Sequence, residues 1–155
     1  MRITLLTTVL CVLATPSLLQ AQSSDIRLRG AFTPLRAADA DTRPATGEVR
    51  ATVQADGDVR VDLVVSGLPG QATSATLHTG RAGESGEQVA RMDVSVDGSE
   101  GRVIGGTATL SPLVAQRVRA GEAYVVVRTS AFPDGILRAQ LAPQARSLEA
   151  VVAGD

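Results

Sequence analysis

Apolar and polar residues alternate in short runs along most of this chain, and Gly, Asp and Pro separate one run from the next. Val49, Ala51 and Val53 alternate with Arg50, Thr52 and Gln54; Val59, Val61 and Leu63 alternate with Arg60 and Asp62. A period of two turns every second side chain to the same face, which is what a half-buried strand requires. The pattern predicts strands over 26–32, 47–54, 58–66, 73–79, 88–96, 102–110, 123–129 and 136–142. About eight strands at this spacing, with turn residues between them, describe an all-β sandwich or barrel. No window carries a long apolar stripe of period 3.6. The best helical candidate is Pro112–Arg119, one or two turns, with Leu113, Val114 and Val118 facing inward and Gly121 as its stop.

Face consistency selects the loop at Asp56-Gly57. A two-residue Asp-Gly loop would pair Val53 with Arg60 and mix apolar with charged side chains on one face. A three-residue loop, Ala55-Asp56-Gly57 with Gly57 left-handed, pairs Val53 with Val59, Ala51 with Val61 and, on the solvent side, Arg50 with Asp62. Phe132-Pro133-Asp134-Gly135 suits a type I turn, with Pro second and Gly fourth. For the strands around it, one register sets Arg128 opposite Arg138 and another sets Arg128 opposite Gln140. Like charges repel across a ladder, so the second is expected.

The first 21 residues depart from the strand pattern and read as an export signal. Arg2 supplies the positive end, 3–13 the apolar run, and Pro16-Ser17 a break before a cut after Ala21; Leu19, three residues before the cut, is larger than the small residue preferred there. An uncleaved anchor is the alternative, but the run is short and Thr4, Thr7 and Thr8 interrupt it, whereas a spanning helix needs about 20 apolar residues. Cys11 follows Thr8-Val9-Leu10 instead of the small residues of a lipidation site, and is an ordinary member of the apolar run. The expected organisation is a signal peptide over 1–21, one domain over 22–142 and a tail over 143–155, with the product secreted or periplasmic and without a membrane span once the signal is cut.

Composition then removes function classes. Formal charge is −1, or −2 once Arg2 leaves with the signal, so nothing draws the chain electrostatically to nucleic acid or an anionic membrane. Phe32, Tyr124 and Phe132 are the only aromatics, too few for a base-stacking platform. Cys11 is the one cysteine, so the processed chain has no disulfide, thiol nucleophile or thiolate ligand. All 15 basic residues are Arg, and Asn is absent; with abundant Ala and Gly this is the usage of a GC-rich, bacterial genome, and it forbids N-glycosylation sequons.

An ordered set of short motifs carries a family likeness: Leu28-x-Gly30, Pro44-Ala45-Thr46-Gly47, Val65-Ser66-Gly67-Leu68, Ala75-x-Leu77-His78-x-Gly80, Leu113 through Gly121, Tyr124, Arg128-Thr129, Pro133-x-Gly135 and Arg138-x-Gln140-Leu141. In this set the chain resembles the chordin-type (CHRD) domain over roughly 25–142. The resemblance implies an immunoglobulin-like antiparallel β-sandwich with at most one short helix, secreted or at the cell surface. It also implies action by extracellular binding. Three departures reduce the family's polar groups. Its His-x-His reads Thr76-Leu77-His78, its Asn-Val-His-Thr reads Val126-Val127-Arg128-Thr129, and its Gly-Glu-Ile-Arg-Gly-Gln reads Gly135-Ile136-Leu137-Arg138-Ala139-Gln140.

His78, Tyr124, Arg128 and Arg138 are the candidates for a binding or structural role. His78 is the only histidine, and with no cysteine a zinc or copper site would rest on carboxylates alone. A strand histidine on the polar face beside Thr76 is the simpler account, and no cofactor is expected. Asp39/Asp41, Asp56/Asp58 and Glu84/Glu87 lack the spacing of a calcium loop and read as turn residues. Gly83-Glu84-Ser85-Gly86 and Gly98-Ser99-Glu100-Gly101 are turns, not nucleophile elbows, and there is no Lys to serve as a base. Tyr124 fits either a corner-type hydrogen bond to nearby backbone or plain core packing. The arginines are scattered; gathered in space, they would bind an acidic glycan or a partner's carboxylate. The reading is an exported, non-enzymatic module that binds an extracellular protein or glycan, or has a structural role in the envelope. The alternative is a metal-binding or redox-linked sandwich enzyme resembling superoxide dismutase.

Overall fold

The computed structural model describes residues 24–35, 44–97 and 100–144. The export signal expected over 1–21, Asp39, Asp41 and most of the tail lie outside them. The strands are β1 Ile26–Ala31, β2 Thr33–Pro34, β3 Thr46–Val53, β4 Asp58–Ser66, β5 Ala72–Thr79, β6 Gln88–Asp93, β7 Ser95–Asp97, β8 Glu100–Thr109, β9 Ala123–Thr129, β10 Leu137–Gln140 and β11 Ala142–Pro143, with one helix, α1 Pro112–Arg119. They form a six-stranded sheet in the order β11-β1-β3-β4-β8-β7 and a five-stranded sheet in the order β2-β10-β9-β5-β6. Every pairing is antiparallel, and the fold is an all-β sandwich.

Among the described residues eleven strands stand where eight were expected, because the expected strands 88–96 and 136–142 change sheets partway and the expected 26–32 continues past Phe32 into the opposite sheet. β1 and β2 meet at Phe32, β6 and β7 at Val94, and β10 and β11 at Leu141, and in each case the second strand joins the opposite sheet. Phe32 and Leu141 are buried in the core, and Val94 packs against it. An apolar residue at each crossing fills the corner where a strand bends from one layer to the other. β11 carries sheet contacts past residue 142: Ala142 and Pro143 face Arg29 and Leu28, and Gln144 N–H donates to the Arg27 carbonyl.

β3 and β4 keep the alternation, with Val49, Ala51, Val53, Val59, Val61, Leu63 and Val65 turned into the core. Their hairpin has the expected register, with Val53 facing Val59, Ala51 facing Val61 and Arg50 facing Asp62. Gly57 sits at φ +99°, and its N–H donates to the Gln54 carbonyl. The second hairpin takes neither proposed register. Leu137 faces Val127, Arg138 faces Val126, and Gln140 faces Tyr124. Its loop closes with two consecutive turns, Phe132 N–H on the Thr129 carbonyl and Gly135 N–H on the Phe132 carbonyl, and loop closure sets the register before charge repulsion can act.

α1 has the expected bounds. Ser111 caps it by accepting from Val114 N–H, Pro112 opens it, and the basic Arg117 and Arg119 stand in the last turn, where they complement the helix dipole. One inward residue differs from expectation: Ala115 and Val118 are buried and Val114 packs against the core, while Leu113 is 69% exposed. Residues 114, 115 and 118 form an i, i+1, i+4 stripe that leaves Leu113 on the far side.

Candidate functional site

β5 and β9 differ from β3 and β4 in being buried on both faces. Ala75, Leu77, Val125 and Val127 line the core, and from Ser74 onward the even-numbered residues of these two strands form the outer face of the five-stranded sheet. Register arranges that outer face in rows. Gln88, His78, Tyr124 and Gln140 make one; Arg91, Thr76, Val126, Arg138 and Thr33 the next; Asp93, Ser74 and Arg128 the third. Ser74, Thr76, Tyr124 and Val126 are nevertheless each 6% exposed or less. Arginine stems laid along a sheet cover short neighbours in this way while their charged heads stay toward water.

The first row is covered by the 80–87 loop, which joins β5 to β6. Tyr124 Oη accepts from Gly86 N–H at 3.0 Å, and His78 Nδ1 lies 3.2 Å from the Gly86 carbonyl. Arg138 Nη2 donates to the carbonyls of Arg81 at 3.1 Å and Glu84 at 2.6 Å. Gln140 Nε2 donates to the carbonyls of Gly80 and Gly121, both at 3.0 Å. The Tyr124 ring is stacked against the His78 ring, with centroids 5.0 Å apart and planes 11° apart, and the Arg138 guanidinium carbon lies 3.6 Å from its centroid. Cation and aromatic attract in this geometry. Gly86 must be glycine, because a Cβ there would overlap the Thr79 carbonyl oxygen. At the loop's outer end, Arg81 and Arg117 share the Glu122 carboxylate at 2.9 and 3.4 Å, and that pairing holds the Glu122 carboxyl below its ordinary range.

Both ring nitrogens of His78 are engaged. The Gly86 carbonyl can only accept, so Nδ1 carries the proton, and Nε2 accepts from the Thr76 hydroxyl at 2.9 Å. If the ring gains a proton, Nε2–H donates to Thr76 Oγ1, whose own hydrogen turns to the Val126 carbonyl at 3.4 Å. Burial lowers the His78 pKa; the Gly86 hydrogen bond works against that shift, and Arg128 and Arg138 add to it. A metal ion would have to displace Thr76 to reach the ring. Among the described residues no three His, Cys, Asp or Glu gather as a metal set.

Three of the four sequence candidates therefore meet. His78, Tyr124 and Arg138 act together on one loop, and the hydrogen bond of Tyr124 runs to Gly86, far along the chain, in place of nearby backbone. Arg128 stands apart in the third row. Sequence reasoning did not assign Gln140, Thr76 or Gly86 a role, although the shared even parity of 74–78, 124–128 and 138–140 already placed their side chains on one face. Gly86 carried no signal beyond that of a turn.

A family profile for the CHRD domain matches residues 28–141. No curated protein matches the chain, and no solved structure does. Four residues of the motif set, His78, Tyr124, Arg138 and Gln140, hold the 80–87 loop against the sheet, and with the matched span reaching from β1 to the β10–β11 crossing, this chain belongs to the CHRD-domain family.

Proposed function

We propose that this protein is an exported, non-enzymatic binding module whose working surface is the outer face of the five-stranded sheet together with the 80–87 loop. CHRD domains are extracellular-type binding or structural modules. Among the described residues no helix is long and apolar enough to cross a membrane. One observation carries the reading. A loop with glycines at 80, 83 and 86 is fixed to the sheet by hydrogen bonds donated by His78, Arg138 and Gln140 and by one that Tyr124 accepts from Gly86 N–H. Such a loop is flexible unless held, and a held loop on a rigid sheet presents a fixed surface, as recognition requires. Tyr124, Arg138, Gln140 and Nδ1 of His78 are engaged with backbone, and the one hydroxyl on the imidazole, that of Thr76, is fully buried where no substrate reaches it, which supports a non-enzymatic reading.

A photo-crosslinking side chain at Arg91, on this face, is compared with one at Arg50, on the solvent face of the other sheet, in the native host. The expected outcome is a discrete adduct from position 91 alone; adducts from both positions or from neither count against this surface. The metalloenzyme alternative predicts stoichiometric copper or zinc in protein purified from the native host, lost with His78→Ala. Elemental analysis without metal removes it. N-terminal sequencing of the exported product tests the cut after Ala21.

A further inference from the structure

Over its second and third rows the outer face is cationic. Arg91, Arg128 and Arg138 lie within two adjacent rows, beside Thr76 and Ser74, and in the three rows the one carboxylate is Asp93, separated from Arg128 by Ser74. The processed chain as a whole is net negative, so this concentration of positive charge is local and not a reflection of overall composition. Arg138 is committed to the loop through neutral carbonyls and keeps its full charge. Arg128 has no such commitment. It enters no ion pair among the described residues, and its Nε–H is buried without a hydrogen-bond acceptor. The residue as a whole is half-buried, so a ligand meets its exposed part and not the buried Nε–H. A half-buried guanidinium in no ion pair is matched by a planar oxyanion, which takes two parallel N–H bonds from its fork.

We propose that Arg128, flanked by Arg91 and Arg138, is the docking point for the carboxylate side chain of an acidic peptide segment on a partner protein. The inference rests on the outer face being the working surface, and it specifies what that surface takes. A glycan is the lesser candidate because sugar recognition leans on exposed aromatic faces. Here Tyr124 and Phe32 are buried, and Phe132 is packed against the core. The neighbouring hydroxyls of Ser74 and Thr76 are neutral and add no competing charge.

The test uses the processed chain with its arginine side chains labelled for NMR, and three probes: a blocked glutamate-rich octapeptide, its glutamine counterpart, and an oligogalacturonate of matched charge. The glutamate peptide is expected to shift the Arg128 Nε–H resonance, to bind about tenfold more weakly to Arg128→Gln, and to lose affinity as salt is raised. Arg128→Lys, which keeps the charge and loses the fork, is expected to fall between the two. The His78 and Tyr124 ring resonances report whether each variant keeps the loop in place. Equal binding of the glutamate and glutamine peptides, or unchanged affinity in Arg128→Gln, overturns the proposal. Tighter binding of the oligogalacturonate also overturns it, in favour of a glycan. A crosslinked adduct at position 91 to a partner without an acidic segment keeps the surface and sinks this inference alone.

Discussion

Tyr124 combines an apolar ring with one polar atom, and both are used. Its ring lies against His78 and Arg138, and its hydroxyl takes the Gly86 N–H. Tyr124→Phe keeps the ring and leaves that N–H without its acceptor, a loss of about 1 kcal/mol. The expected readouts are a lower urea midpoint and faster hydrogen exchange at the Gly86 amide, with other amides of the sheet unchanged. His78 gives the fold a pH dependence. Its pKa in the folded chain is lowered from the ordinary value of 6.5 by burial and by the nearby arginines, so on acidification the unfolded chain takes up the proton first. This residue's contribution is therefore intact above the ordinary histidine pKa, falls as pH drops from there to the lowered value, and changes no further below it. Urea unfolding across that interval should show stability rising with pH, and His78→Gln should flatten the rise.

Hairpins show how much of an element is local. For β3 and β4 the alternation and the Asp56-Gly57 pair specify both loop and register, because a slip of one residue would turn Val53 and Val59 to opposite faces. Gly57→Ala places a Cβ on a residue at φ +99° and should cost about 1 kcal/mol, read as a shift in urea midpoint without a change in slope. For β9 and β10 the alternation keeps parity and so allows shifts of two residues. Charge repulsion between Arg128 and Arg138 was the local criterion for choosing among those shifts, and it is too weak, since exposed pairs contribute below about 1 kcal/mol. The Thr129–Phe132 and Phe132–Gly135 turns decide instead. Sheet crossings at Phe32, Val94 and Leu141 were equally hidden, because a strand that changes partner keeps the same alternation through the bend.

At the scale of the whole molecule, stability rests on one aliphatic interior between the sheets, where Leu77 on β5 and Leu137 on β10, both of the five-stranded sheet, are fully buried. Leu137→Ala should lower stability by about 2–5 kcal/mol, with the range set by how far the cavity relaxes. Denaturant unfolding of the protein checks it, and a loss below about 1 kcal/mol would mean that the layers pack less closely at β10 than the burial indicates. Because β9 and β5 are covered on their outer side as well, the two central strands of the five-stranded sheet are a rigid base for whatever the outer face meets.

Much of this protein was determined by sequence alone. Alternation with period two gives strands wherever side chains must divide between a core and a wet face, and the cap-and-stop residues around Pro112–Arg119 give a helix. These follow from residue type and near neighbours, within a few positions along the chain. Tertiary structure decided which sheet each strand joins, the register at the 129–136 turn, and the meeting of His78, Tyr124, Arg138 and Gln140 over a loop that begins at Gly80. Each of those depends on contacts between residues tens of positions apart, where loop closure and layer packing outweigh any local preference.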